Sequence, residues 1–270
     1  MWCFLLCKLC YTVSMNWRAK RQSVGIGTVL IIILAFIAYW AVGYFTVEPT
    51  CFDREQNGDE LGIDCGGSCA LRCSFETRDL VTQWQRVTRT TDGVYSVVAY
   101  IENQNTGSGA FEVPYQFRLY DDKNLIVAEK EGTTFVVSND RFAIVEPNLS
   151  TGNRVPTRAF FEFLQEPVWQ QIDDVFNQRL VLVKSQKMEN EDVRPRITAV
   201  LENTTLNYIY NVEVSAIVYD LADNVIQTGI TIVPQIDALG EREIFFTWPE
   251  PFAGEVGQVE IVPRINVFAQ

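Results

Sequence analysis

Histidine is absent from all 270 residues, which removes Ser-His-Asp and Cys-His catalysis, histidine metal ligation and a histidine pH switch. Acidic side chains are missing from the first 47 residues, and cysteine is missing after Cys73. Basic residues are scarce, 22 against 34 acidic. Only Lys8, Arg18, Lys20 and Arg21 precede Glu48, so the rest of the chain holds 18 basic and 34 acidic side chains, a net −16. A surface of that sign repels phosphate backbones, whose binding needs clustered Lys and Arg, and nucleic acid is a poor partner for it. A hydrophobic content of 47% excludes a disordered, solvating chain. The length leaves room for one membrane span and about two domains of ~100 to 200 residues.

Residues 24–45 read VGIGTVLIIILAFIAYWAVGYF, 22 positions without a charge. At ~1.5 Å per residue a helix of that length covers the ~30 Å hydrocarbon core of a bilayer. Arg18, Lys20 and Arg21 flank its start and nothing basic flanks its end. The positive-inside rule then puts the N-terminus in the cytoplasm and residues 46–270 outside the plasma (inner) membrane, in a periplasm or at the cell surface. Trp17, Tyr39, Trp40, Tyr44 and Phe45 stand where aromatic belts form. The competing reading is a cleaved signal peptide ending near Ala41-Val42-Gly43, but the run exceeds the usual ~7 to 15 residue core of such peptides. Ahead of it, Cys3, Cys7 and Cys10 admit acylation beside the membrane or a thiolate metal site lacking a fourth ligand. An over-long start, with Met15 as the true first residue, is the preferred reading of residues 1–14.

Four cysteines, Cys51, Cys65, Cys69 and Cys73, crowd the next stretch. An even count outside a membrane reads as two disulfides, with three connectivities open, stapling a segment too short to bury a core. Between Cys51 and Cys65, Asp53, Glu55 and Asn57 alternate, Gly58 follows, the Asp59 carbonyl occupies position seven and Asp64 position twelve. That is the oxygen spacing of an EF-hand calcium loop. Departures are Glu55 for the usual Asp or Asn, Asp64 for the bidentate Glu, and the absence of flanking helices. The alternative is a disulfide knot with turn-forming glycines and solvated acids. The stretch also resembles the C-x-D-x-x-x-N-G-x-E-x-G-x-D-C-G-G-x-C segment of assorted surface proteins, matching from Cys51 to Cys69, which implies an extracellular setting and no activity.

Beyond it the chain repeats itself. Tyr100-Ile101-Glu102-Asn103 recurs as Val200-Leu201-Glu202-Asn203, and Leu119-Tyr120-Asp121 as Val218-Tyr219-Asp220. Phe160-Phe161-Glu162-Phe163 matches Phe245-Phe246-Thr247-Trp248 at a shorter offset, which predicts about fourteen extra residues in the first copy near residues 129–157. Both copies alternate with period two: Val97, Ala99, Ile101 and Val113, Tyr115, Phe117, Leu119 in the first, Ile197, Ala199, Leu201 and Val212, Val214, Ala216, Val218 in the second. Such alternation marks half-buried strands. Pro263 predicts an edge or bulged last strand. Residues 180–188 close the first copy or open the second, and residues 167–178 have room for a helical turn. The expected fold is mainly β: a single transmembrane helix, a short disulfide-stapled segment and two tandem antiparallel β-sandwich domains. The boundaries are residues 1–23 (cytoplasmic), 24–45 (span), 48–74 (cysteine-rich), 75–178 and 179–270 (sandwiches).

Phe117-Arg118-Leu119-Tyr120-Asp121 spells the signature of the FxLYD domain, and both repeats resemble that family. The second keeps only Tyr219-Asp220. The resemblance implies an immunoglobulin-like sandwich of envelope proteins without catalytic residues, in which Phe117 and Leu119 are packing and Asp121 opens a turn. The expected function is a non-enzymatic, single-pass binding or adhesion protein for a protein partner or surface polymer. The alternative is a scaffold or accessory subunit of an envelope assembly. Calcium is the one cofactor the residues suggest. Paired acids such as Asp121-Asp122 and Asp173-Asp174 match glycosidase chemistry by type alone.

Overall fold

The structure, a computed structural model, describes residues 17–45, 50–172 and 180–268. Cys3, Cys7, Cys10 and Met15 lie outside the described residues, as do residues 173–179 within the stretch expected to hold a helical turn. The chain forms two compact units, Met1–Thr50 and Cys51–Gln270.

The first unit holds α1 (Trp17–Phe45). It starts seven residues before the uncharged run because Arg, Ala, Lys and Gln are all good helix formers, and the Arg21 guanidinium lies 4.0 Å above the Trp17 ring. Its stretch Arg21–Val42 is long and apolar enough to cross a bilayer.

The second unit opens with a cysteine-rich segment and continues as strands. The first set is β1 (Val81–Thr91), β2 (Val94–Glu102), β3 (Ser108–Tyr120), β4 (Ile126–Val136), β5 (Arg141–Ser150), β6 (Arg158–Phe163) and the two-residue β7 (Gln170–Gln171). The second is β8 (Val181–Glu189), β9 (Arg196–Asn203), β10 (Ile209–Asp220), β11 (Val225–Ile236), β12 (Glu241–Thr247) and β13 (Val256–Arg264). Sheets β1-β2-β5 and β4-β3-β6 recur as β8-β9-β12 and β11-β10-β13, all antiparallel. The chain is mainly β, two sandwiches of one topology. β8 pairs with β9, so residues 180–188 open the second set.

Register corrects one expectation. Ala99 faces Ile144 and Ala199 faces Ile244; Leu119 faces Ala159 and Val218 faces Val259. The copies therefore stay about 100 residues apart throughout, without fourteen extra residues in the first. Phe160–Phe163 belongs to β6, on β3, whereas Phe245 and Phe246 belong to β12, on β9. The two aromatic runs occupy different strands, and their likeness reflects only that both strands pack rings against a core. Residues 167–172 likewise include a short strand, β7, paired with Ser108 and Gly109.

The alternating apolar positions face inward as their period requires. Val97, Ala99, Ile101, Phe117 and Leu119 are wholly buried in the first core, and Ala199, Leu201, Val214, Ala216 and Val218 in the second. Hairpin ends are held by aspartate. Asp121 Oδ1 accepts the N–H groups of Lys123 and Leu125, both at 2.9 Å, and Asp220 Oδ1 those of Ala222 and Asn224, both at 2.8 Å. These bonds, those from Asn224 first, hold the Asp220 carboxyl below its ordinary pKa. β13, which holds Pro263, lies at the edge of its sheet, where proline is tolerated.

Candidate functional site

The disulfides are Cys51–Cys69 and Cys65–Cys73. They fold the predicted calcium loop onto the first sandwich, where Arg72 N–H donates to the Trp169 carbonyl at 3.0 Å and Gln171 N–H to that of Ala70 at 2.7 Å. Within the loop, Asp53 accepts Glu55 N–H at 2.9 Å through Oδ1 and the Asn57 amide at 2.8 Å through Oδ2. Both oxygens of Asp64 accept Arg54 N–H at 3.1 Å. Asp59 takes the Ser68 hydroxyl at 2.8 Å, and its carbonyl lies so close to Gly67 (φ 60°) that a Cβ there would meet it at 2.1 Å. The structure thus joins Asp53 to Asn57 and ties Asp64 to the Arg54 backbone beside them, while Asp59 turns to the Gly67-Ser68 side. Glu55 is exposed.

Glu60, which the EF-hand spacing omits, organises the knot. Its Oε2 accepts the N–H groups of Asn57 and Asp64, both at 3.3 Å. Its carboxylate and the sulfurs of Cys51 and Cys69 lie within 4.8 Å of one another. Those sulfurs are bonded to each other, and a metal needs the thiolate, so this cluster is a structural one.

The second candidate region is the joint between the sandwiches. Val98, Ala143 and Val145, on the outer face of the β1-β2-β5 sheet, form a buried cluster with Ile217 of β10. Trp84 stacks on Tyr100 at 5.1 Å and meets Tyr219 edge-on at 6.5 Å. Glu260 accepts both phenols, Tyr100 and Tyr219, at 2.9 Å. Burial first, and the Glu260 charge second, push both phenol pKa values well above the usual tyrosine range. Gln227 accepts the Thr88 hydroxyl at 3.1 Å and donates to the Arg89 carbonyl at 3.0 Å.

Arg264, 5% exposed, pins the same joint. It donates to the Phe135 carbonyl at 2.5 Å and Thr134 Oγ1 at 3.2 Å in the first sandwich, and to Glu213 at 3.2 Å in its own. Its guanidinium stacks 4.3 Å from Phe135 and 4.1 Å from Phe142. Burial lowers its pKa, with Glu213 acting in the opposite sense.

Beside the joint lies a cleft of about 880 Å³ lined by Tyr100, Glu102, residues 137–141 and the adjoining ends of β8 and β13. Along it Arg141 pairs with Glu102 at 2.9 Å and Glu260 holds the two phenols. The ionisable groups most displaced from their ordinary pKa, Tyr100, Tyr115, Tyr219 and Arg264, serve packing between or within the sandwiches. Sequence reasoning missed Gln227, Glu260 and Arg264, each of which reads as a strand residue like its neighbours. Ile217 had a signal, since an apolar side chain alternating out of step with Ala216 and Val218 marks a sheet covered on both faces.

No family model matches the chain, and no curated protein matches it. Among solved structures it is similar to a red sea bream transglutaminase (9% identity, TM-score 0.22, 67% of this chain and 29% of that one). It is also similar to a glycoside hydrolase family 2 β-glucuronidase (9%, 0.23, 80% and 26%) and a β-galactosidase described as putative from Bacteroides fragilis (11%, 0.19, 64% and 32%). The chain spans about three tenths of the length of these proteins.

Proposed function

We propose that this is a non-enzymatic, single-pass membrane protein, N-terminus in the cytoplasm, that presents its two sandwiches outside the cell membrane as a binding or adhesion body. The observation that carries the reading is the joint. A buried apolar cluster, a shared carboxylate and a buried arginine make one stiff body of two sandwiches, and stiffness lowers the ordering cost of binding. Two of the groups most displaced in pKa, Tyr100 and Arg264, line the open cleft. Tyr100 is bonded to Glu260, however, and Arg264 to Phe135, Thr134 and Glu213, which supports packing over the free acid or base that a catalytic cleft presents. The FxLYD kinship belongs to the same proposal, supported by the burial of Phe117 and Leu119 and by the matched turns at Asp121 and Asp220.

The test is crosslinking in intact cells, followed by purification of the full-length protein from detergent and mass spectrometry of what accompanies it. Recovery with one surface partner, or with a wall polymer, supports the binding reading. A constant set of membrane proteins in near-equal amounts makes the protein an assembly subunit instead, and recovery alone under crosslinking leaves neither standing.

Calcium in the 53–64 loop is a finer part of the proposal, supported by the convergence of Asp53 and Asn57 and by the oxygen spacing that places Asp64 at the closing position. Adding millimolar calcium is expected to raise the melting temperature of the full-length protein, in line with weak extracellular sites of ~10⁻⁴ to 10⁻³ M. Asp53→Ala and Asp64→Ala should each abolish that rise. An unchanged rise in both variants would remove calcium from this loop.

A further inference from the structure

The duplication gives the molecule its own control. At one end of the first sandwich, Ser108 and Gly109 are buried and paired with Gln171 and Gln170 of β7. The matching end of the second sandwich is identified by matching bonds. Asn139 N–H donates to the Asn105 carbonyl and Leu239 N–H to that of Thr205, both at 2.9 Å. The buried amides of Asn103 and Asn203 donate to the carbonyls of Ser108 and Asn207. Leu239 therefore stands for Asn139, Leu206 for Thr106 and Tyr208 for Gly109.

Those replacements run against the solvent. Leu206 is 81% exposed, Leu239 62% and Tyr208 54%. Leu239 also sits at φ 52°, where its counterpart Asn139 is at 45°; asparagine adopts that left-handed backbone readily and a branched aliphatic residue only at a cost. A leucine that gains no burial and strains its turn contributes nothing to folding, and such exceptions concentrate where a surface is used. The Leu239–Thr205 bond brings the two turns together, and Tyr208 stacks on Tyr210 at 6.4 Å. Around them stand Glu202, Asp237 and Glu241, with Lys184 bridging the two glutamates.

We propose that this tip is the contact surface of the binding body described above, on which reading it rests. Leu206, Tyr208 and Leu239 enter an apolar pocket of a protein partner whose rim carries Lys and Arg. Charge complementarity selects that occupant. The acidic rim, on a body of net −16 beyond residue 47, would face its own sign in a second copy, in an anionic bilayer or in an anionic wall polymer.

The test places a photoreactive phenylalanine analogue at Leu206 of the full-length protein in its native membrane, with Thr106 as the matched position in the first sandwich. A parallel sample receives an amine-reactive crosslinker. The expected result is one protein captured from Leu206 and not from Thr106, through a peptide that contains Lys or Arg. Capture should fall about thirtyfold with Leu239→Asn, the size of a hot-spot loss, and should weaken in high salt. Leu239→Asn restores the residue of the first sandwich, so its melting temperature should match or exceed that of the parent. Equal capture from Thr106, capture of lipid or of a second copy alone, or capture untouched by Leu239→Asn or by salt overturns the proposal. A partner found only by the amine reagent removes the tip and leaves the binding reading in place; no partner by either reagent removes both.

Discussion

Arg264→Ala is expected to lower the unfolding free energy of the Cys51–Gln270 unit by about 3 to 5 kcal/mol, the usual result of breaking a buried ion pair from one side. Arg264 is 5% exposed and donates to the Phe135 carbonyl and Thr134 Oγ1 on one sandwich and to Glu213 on the other. Its removal leaves the Phe135 carbonyl with only the longer 3.3 Å bond from the Thr134 hydroxyl and empties the slot between Phe135 and Phe142. Arg264→Lys should recover little, because an ammonium cannot supply the planar fork or the stacking. Arg264→Met should fall between, since it refills the slot without a buried charge but removes the stronger donor to the Phe135 carbonyl. Glu213→Gln should cost less than Arg264→Ala, because the Glu213 side chain is 33% exposed and water screens its charge. Urea unfolding of the full-length variants in detergent measures all four. An Arg264→Ala midpoint within about 1 kcal/mol of the parent would mean that the apolar cluster alone joins the sandwiches.

Much of this architecture is legible in residue order. Period two alone places Val97, Ala99, Ile101, Phe117 and Leu119 on one side, and all five are buried. Asp121 and Asp220 announce their turns because an aspartate followed within four residues by an asparagine, here Asn124 and Asn224, opens a turn and bonds its own backbone. The repeat is visible at Glu102-Asn103 and Glu202-Asn203 for a physical reason, since those asparagines are buried in both copies and bond the backbone of the turns beside them. What residue order does not carry is which strand an aromatic run joins, and the Phe160 and Phe245 runs show this: each alternates correctly, but pairing partners such as Phe161 with Phe117 and Phe246 with Ile197 are set by contacts between segments far apart in sequence. The joint was illegible for the same reason. Nothing local marks Glu260 or Gln227 as facing a second sandwich, and only the doubled apolarity around Ile217 hints at a covered outer face. In the candidate calcium loop the oxygen spacing was legible and the organising residue was not, because Glu60 acts through backbone N–H groups that a ligand pattern does not count.

Asn203→Ala is expected to destabilise the second sandwich by about 3 kcal/mol, at the upper end for stranding buried polar groups. The side chain is fully buried. Its amide donates to the Asn207 carbonyl at 2.7 Å and that of Asp237 at 2.9 Å, and its oxygen accepts Thr205 N–H at 2.9 Å and the Thr205 hydroxyl at 2.8 Å. It thereby ties together the two turns that carry Leu206 and Leu239. Asn103→Ala should match it in the first sandwich, where the amide donates to Val137 at 2.7 Å and Ser108 at 3.1 Å and the oxygen accepts Asn105 N–H at 3.0 Å. Asn203→Asp separates bonding from shape. The introduced carboxylate has no donor for the two carbonyls and is buried, so this variant should be weaker than Asn203→Ala at pH 7. Burial among acceptors raises the pKa of that carboxyl in the folded state above its unfolded ~3.9. The folded form then binds the extra proton between the two pKa values, and stability must rise as pH falls through that window. Melting curves of the three variants from pH 4 to pH 8 decide the matter. A pH-independent Asn203→Asp no worse than Asn203→Ala would show that the amide fills space and does not hold the turns.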